Sequence, residues 1–446
     1  MNDNKKSTEK TTKSESQKAI YDARELGTVK MLLLGLQHMF AMFGATIMVP
    51  LLTGLNVSTT LLMAGIGTLL FHIITKGKVP AFLGSSFAFI GGYAAVAPMI
   101  DGKPNVEMLP YACGGVFVAG LVYLVIAAFI KFFGIQKVMK LFPPCVTGPM
   151  IICIGLTLAP SAINNCRTDW LLALVAIALI IICNIWGRGM IKIMPIMIGV
   201  VGTYIFAVIL GKVDFSEVMS GGIVALPLST DRFAKFDINS IITIVPIAFA
   251  TVMEHIGDIS AIGATTGRNF IANPGLHRTM LGDGLATSLA SLVGAPANTT
   301  YGENTGVLVL TKVYDPRVTR IAAVFAVVLS FIPAISGFIG SIPAAIIGGT
   351  SLILYGMISA IGVRNMVENK VDLTNSRNLI ISASILVCAI GFEYATVSGI
   401  SIPVGGATIQ LSGLAIAAIV GIILNAILPG NDYEFSMDSQ EGSNVL

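Results

Sequence analysis

The chain has 446 residues, of which 54% are hydrophobic and 11% charged. Its mean hydropathy of +0.84 excludes an ordinary soluble domain, in which about a quarter of residues are charged. A net charge of +3 is too small to imply a nucleic-acid partner, so composition leaves a polytopic membrane protein.

The first 28 residues are polar, rich in Lys, Ser, Thr and Glu, carry no cleavable signal pattern and read as a disordered tail. Beyond them, hydropathy read over about 19 residues predicts fourteen spans. They fall near 30–53, 57–75, 80–99, 111–133, 142–162, 169–186, 190–211, 240–264, 278–295, 296–313, 317–338, 342–362, 377–394 and 408–429. A short acidic tail, 431–446, closes the chain. With both ends cytoplasmic, 22 Lys and Arg fall inside and 5 outside, and adding or removing one span scrambles that split. Cys113, Cys145, Cys153, Cys183 and Cys388 fall in or beside apolar segments, and Cys166 falls in a polar loop. No CxxC pair occurs, so the cysteines read as small hydrophobes rather than a disulfide framework.

Fourteen divides into two sevens, and an odd repeat inverts its copy in the membrane. Traces of such a repeat are present. Gln37-His38 in span 1 answers Glu254-His255 in span 8, and Phe142-Pro143 with Gly148 answers Ile342-Pro343 with Gly348. Spans 3 and 10 are both broken. Span 3 contains Pro80, Gly84, Ser85, Ser86, Gly91 and Gly92, and span 10 contains Pro296, Asn298, Thr299, Thr300, Gly302 and Gly306. These residues favour extended or turned backbone over helix. Interrupted segments at matching positions of two halves point to a transporter site.

The chemistry-bearing residues lie on and around those breaks. In span 8, Glu254 and Asp258 share one face at i, i+4, about 6 Å apart along the axis, while His255 points about 100° away. Pro246 is placed to kink the helix above them. Glu303 sits within the broken span 10. Carboxylates at bilayer depth cost several kcal/mol unless protonated or paired, and broken backbone there must be packed in protein or line a wet cavity. Glu254, Asp258 and Glu303 are therefore candidate ligand or proton sites. Asn304 reads as a partner for backbone groups freed by the break. In span 3, Leu83 to Phe87 offers either bare amides and an aromatic ring to a flat ligand, or simple close helix packing. Gln37 and His38 lie mid-span, open equally to helix–helix hydrogen bonding and to ligand contact. Tyr355 reads as core or interface, and His72, His277 and Asp283 as solvated or interfacial. Enzyme signatures are missing: there is no HExxH, no GxSxG elbow and no phosphate-cradling loop. A metal held by Glu254, Asp258 and Glu303 is an alternative reading, for which nothing in the sequence supplies a second set of ligands.

The run Glu303-Asn304-Thr305-Gly306 through Thr311-Lys312 resembles the signature of nucleobase–ascorbate transporters: Gln, Glu or Pro, then Asn, any residue, Gly, four more, Thr and a basic residue or Gly. The likeness extends from about Val29 to Pro429, and the runs GKVPAFLGSSFAFI, NPGLHR and NTTYGEN are similar to those of bacterial uracil permeases. It implies an all-α polytopic protein of 14 transmembrane segments in two inverted 7-segment repeats, with short β-strands in segments 3 and 10. It also implies a core domain (29–134 and 239–339) moving against a gate domain (135–238 and 340–430). By the same resemblance, Glu254 and Glu303 bind substrate with the backbone of Phe87 and Gly302, and Tyr355 faces them from the gate. His255, Asn304, Gln37 and His38 would support. The characterised uracil carriers have a histidine where this chain has Asp258, so the proton-coupling role falls to Asp258 and Glu254. Glu rather than Gln at 303 favours uracil over xanthine or urate. No cofactor is implied beyond a co-transported proton, and dimers occur in the resembled family.

Overall fold

The computed structural model describes residues 19–100, 103–215, 224–395, 400–404 and 407–430. A 3-10 turn (Ala23–Leu26) leads into α1 (Thr28–Thr53) and α2 (Val57–Ile74), then strand β1 (Leu83–Ser85) and the short helix α3 (Ile90–Val96). Next come α4 (Leu109–Phe133), α5 (Ile135–Met139), α6 (Pro144–Cys166), α7 (Trp170–Ile185), α8 (Met190–Ile193) and α9 (Pro195–Ile209). The chain continues through α10 (Ile238–Ile244), α11 (Ile247–Thr266), α12 (Leu276–Leu292), strand β2 (Asn298–Thr300) and α13 (Gly302–Thr311). It ends with α14 (Pro316–Ser330), α15 (Pro333–Gly340), α16 (Ala344–Glu368), α17 (Ser376–Tyr394), the hairpin β3 (Ile400–Val404) and β4 (Ala407–Leu411), and α18 (Gly413–Ile427).

Among the described residues, seven helical segments are long and apolar enough to cross a membrane, with α10 and α11 counted as one. The pair α14–α15, bent by 82°, makes an eighth, and α7, α9 and α18 are shorter apolar helices. Local chemistry sets the ends. Asn56, Asp169, Asp237, Asp315 and Ser412 cap the helices that follow them by accepting from free N–H groups of the first turn. Pro246 opens α11, because a residue without an N–H breaks an inner turn but suits a first one.

The helices pack in two groups. Helices α1, α2 and α12 pack on the paired strands β1 and β2, with α4 against α12 and α14 against α1 and α2, while α6, α7, α9, α16, α17 and α18 pack on one another. The α6–α16 seam is tight because Gly148, Gly155 and Gly362 let the two backbones approach. Helix α11 lies between the groups, touching α4, α12 and α13 on one side and α6 and α18 on the other.

Several expectations change. The last span does not begin as helix at 408: residues 407–411 form β4, and α18 starts at Gly413. Span 8 remains one span, Ile238–Thr266, interrupted at Val245 and Pro246 where the kink is expected. The disordered tail expected over 1–28 ends earlier, since Ile20 bridges to Val313 and Ala23 is fully buried. Ile20, Ala23 and Leu26 pack on Val313 and Val318 there, an apolar strip that the polar composition of the tail hides. Cys166 is the buried last residue of α6 rather than a loop residue, and all six cysteines are free thiols. The remainder of both expected tails, 1–18 and 431–446, lies outside the described residues.

Candidate functional site

The site is built on the two broken segments. In β1 and β2 the register pairs Leu83 with Thr300, Gly84 with Thr299 and Ser85 with Asn298. Tyr301 N–H donates to the Phe82 carbonyl (3.1 Å) and Ser86 N–H to that of Ala297 (2.8 Å), extending the ladder by a bond at each end. A two-stranded sheet in an apolar interior leaves bare outer edges that water cannot satisfy. Side chains from the surrounding helices serve them. Thr68 Oγ1 accepts from Leu83 N–H (2.9 Å) and donates to its carbonyl (3.2 Å), and Thr287 Oγ1 donates to the Asn298 carbonyl (2.5 Å). Tyr301 OH donates to the Ser85 carbonyl (2.7 Å), Ser85 Oγ donates to the Thr46 carbonyl (3.0 Å), and Asn298 Nδ2 donates to that of Met63 (2.8 Å).

Because the strands are antiparallel, α3 and α13 leave from opposite ends of the ladder, three residues or about 10 Å apart. Each presents the partial positive charge of its N-terminus beside the crossing, and in α3 the first N–H, that of Ile90, donates to the Phe87 carbonyl (3.0 Å). Glu303 lies in the first turn of α13, where that charge favours a carboxylate.

Helix α11 brings the other acids to this point. Asp258 accepts from Thr300 Oγ1 at 2.7 Å, tying α11 to β2. Glu254 and Glu303 lie within electrostatic range of each other, and both act on Asp258. The three carboxyls predicted from separate stretches are thus brought together. They border open space: Glu254, Asp258 and Glu303 are each partly accessible, Gly257 and Gly302 are exposed, and a Cβ added at either glycine meets nothing within 4 Å. Among the described residues, no three His, Cys, Asp or Glu side chains converge as metal ligands.

Behind the acids stands a pair that the sequence reading missed. Asp283 was expected to be solvated or interfacial, yet it is fully buried, with Oδ2 at 2.9 Å from His255 Nδ1. His255 Nε2 lies 3.0 Å from Thr279 Oγ1, so His255 and Asp283 couple α11 to α12 beside Glu254. The argument that singled out Glu254, an acid on an apolar helix, applied equally to Asp283. His72 is corrected likewise: it is buried, with Nε2 at 2.9 Å from the Ala81 carbonyl, holding the approach to β1. His277 is partly exposed, as an interfacial residue would be.

The supporting residues divide by role. Asn304 Nδ2 meets both Nδ1 (3.2 Å) and the carbonyl (3.1 Å) of His38, fixing α13 to the unbroken helix α1 rather than serving backbone groups freed by the break. Gln37 contacts Met190 of α8. Phe87 is partly buried where three apolar clusters meet, just ahead of α3. Tyr355 is buried among the apolar residues of α6 and shares a cluster with Ile247 and Met253 of α11.

The N-terminal segment straps the ends of the two acid-bearing helices. Tyr21 OH donates to the carbonyl of Thr266, the last residue of α11, and Arg268 stacks on its ring at 4.5 Å. Next to it, Ile20 N–H donates to the carbonyl of Lys312 just after α13 (2.8 Å), and Ala23 N–H donates to Asp315 Oδ2 (2.8 Å).

Comparison with known proteins supplies an independent line. The Xan_ur_permease family, described as a permease family, matches residues 29–398. The chain is 42% identical to the uracil permease of Bacillus caldolyticus, across 93% of this chain and 95% of that one. It is 44% identical to the uracil permease of Bacillus subtilis, across 88% and 91%. In fold it is similar to the transmembrane domain of the cyanobacterial bicarbonate transporter BicA, with a TM-score of 0.61 and 13% identity, covering 92% of this chain and 99% of that one.

Proposed function

The chain belongs to this permease family, and on that premise we propose that it carries uracil across the cell membrane by proton symport. It is a permease rather than an enzyme, a multi-pass membrane protein whose family and relatives indicate a nucleobase as cargo.

The observation that carries the reading is the convergence of Glu254, Asp258 and Glu303 on the open space beside Gly302, at the start of α13. Uracil is flat and uncharged, with two N–H donors and two carbonyl acceptors. Glutamate oxygens at 254 and 303 accept from its ring N–H groups, and the free amides near Phe87 and Gly302 donate to its carbonyls. Phe87 forms one wall, and Tyr355 closes the site from the facing group of helices. Because the cargo is neutral, the membrane potential cannot concentrate it without a coupled cation. One proton bound among the clustered acids removes a charge that is costly to move through an apolar gate. Asp258 and Glu254 are the residues assigned to that proton.

The helix packing supports a division into core (29–134, 239–339) and gate (135–238, 340–430), with the core moving against the gate. The charge distribution of the sequence supports fourteen segments in two inverted repeats, with both ends cytoplasmic. The short helices α3 and α13, helix α12 and the shorter apolar helices α7, α9 and α18 then supply the remaining segments.

Uptake of radiolabelled uracil into proteoliposomes, measured against pH with and without an uncoupler, tests the reading. Uphill accumulation should require an inward proton gradient, and Glu254→Gln or Glu303→Gln should abolish uptake. Wild-type uptake by both variants would refute the site, and stronger competition by unlabelled xanthine than by uracil would refute the cargo.

A further inference from the structure

A second cavity lies on the boundary between the two helix groups, away from the carboxylates. Its cavity volume is about 70 Å³, and one side of it opens to solvent. One wall is the side of α3 that carries Gly91, Gly92, Ala94 and Ala95. Gly92 is backed closely by Ile244 and Ile247, so this wall is nearly bare backbone over an apolar support. A flat ring can lie against such a surface. The rest of the lining mixes the apolar Leu158, Ile247 and Leu414 with polar side chains. These are Thr157 and Ser161 of α6, Glu393 at the end of α17, and Ser412 ahead of α18.

The place of this cavity follows from two of its residues. Ile247 begins α11, and Glu254 lies seven residues further on, about 10 Å along the helix axis. Gly91 falls in the first turn of α3, just beyond Phe87. The cavity therefore occupies the same boundary as the carboxylate site, displaced toward the start of α11. Few polar groups around an apolar floor is the pattern of a site that orients a small, mostly apolar ligand.

We propose that this cavity is a second, transient seat for the cargo on its way to or from the carboxylates; the proposal rests on the nucleobase reading above. The ligand class is a neutral planar heterocycle with lactam or imide N–H and carbonyl groups. Glu393 accepts from a ring N–H, and the hydroxyls of Ser161 and Ser412 donate to ring carbonyls. Glu393 also has a structural task, since its side chain accepts from Gly413 N–H at the start of α18. An amide oxygen can keep that bond, so Glu393→Gln separates the two tasks.

The test uses the full chain in proteoliposomes and in detergent. Two variants are made: Glu393→Gln, which keeps the cap, and Ala95→Leu, which fills the cavity. Uracil uptake is measured over a range of concentrations, and equilibrium uracil binding and thermal unfolding are measured in detergent. The expected result is a rise in KM for uptake of about three- to tenfold, the worth of one hydrogen bond. The equilibrium Kd and unfolding midpoint should match wild type. Wild-type KM in Glu393→Gln would overturn the proposal even if Ala95→Leu failed to fold, and so would a Kd that rises in step with KM. A wild-type protein that neither binds nor carries uracil would instead overturn the nucleobase reading, and the cavity's role with it.

Discussion

Two alanine substitutions, identical in chemistry, separate the scaffold from the site. A Cβ added at Gly84 would lie 2.7 Å from Thr46 Oγ1 and from Cε2 and Cζ of Tyr301. Tyr301 cannot swing away cheaply, because its hydroxyl holds the Ser85 carbonyl at 2.7 Å and its ring is buried. Gly84→Ala must therefore push the strands apart, at the cost typical of overpacking, about 1–3 kcal/mol. At about 2 °C per kcal/mol for a large chain, the unfolding midpoint in detergent should fall by about 2–6 °C. Uracil binding should weaken too, since the same crossing sets both helix starts. A Cβ added at Gly302 meets nothing within 4 Å, so Gly302→Ala should leave the midpoint within about 1 °C, as is usual for a substitution that creates no clash. Its methyl group points into the space assigned to the ring, however, and uracil affinity should drop at least about tenfold, or 1.4 kcal/mol. Scanning fluorimetry and equilibrium binding on the purified protein give both readouts. If Gly302→Ala binds uracil like wild type, the space beside α13 is not the cargo site; if Gly84→Ala melts like wild type, the crossing is not the rigid element described.

Three further outcomes are expected. Asp258→Asn keeps an oxygen for Thr300 Oγ1 and so preserves the contact between α11 and β2; it should retain uracil exchange and lose uphill accumulation, and unimpaired accumulation would clear Asp258 of coupling. Asp283→Ala leaves the His255 ring without its buried partner and should cost about 1–3 kcal/mol, read as a lower unfolding midpoint; an unchanged midpoint would show that the pair contributes nothing. In the N-terminal strap, hydrogen bonding from Arg24, helped by Arg317, holds the Asp22 carboxyl well below its ordinary value of 3.8. A lowered carboxyl stabilises docking above its unfolded value and loses that contribution as pH falls through its folded one. Hydrogen exchange in residues 19–26 should therefore show no docking loss between pH 8 and pH 5, with opening only below 3.8; opening between pH 7 and 5 would remove Asp22 from the account.

The breaks in spans 3 and 10 were legible because Gly, Pro, Asn and Thr impose their backbone preferences locally, and the structure places β1 and β2 there. Glu254, Asp258 and Glu303 stood out because the cost of a carboxylate in an apolar segment is a property of the residue and its immediate neighbours. Asp283 and His72 were misplaced for the opposite reason. Whether a polar group near a span end is solvated depends on what covers it, and here His255 and the Ala81 carbonyl do so. The β3–β4 hairpin was hidden in an apolar run, where strand and helix share one composition. Ile20, Ala23 and Leu26 were submerged in the polar tail for want of their distant partners Val313 and Val318.

By itself, then, the amino-acid sequence determined that this is a membrane protein with interrupted spans and acids embedded in them, since hydrophobicity and backbone propensity act within a few residues. Only the tertiary structure decided which acids meet. The pairing of Gly84 with Thr299, the hydrogen bond from Thr300 to Asp258, and the division between open acids and the buried Asp283–His255 pair join residues far apart in the chain. Such contacts are fixed by how whole helices fit against one another, a matter of three-dimensional shape that no local pattern encodes.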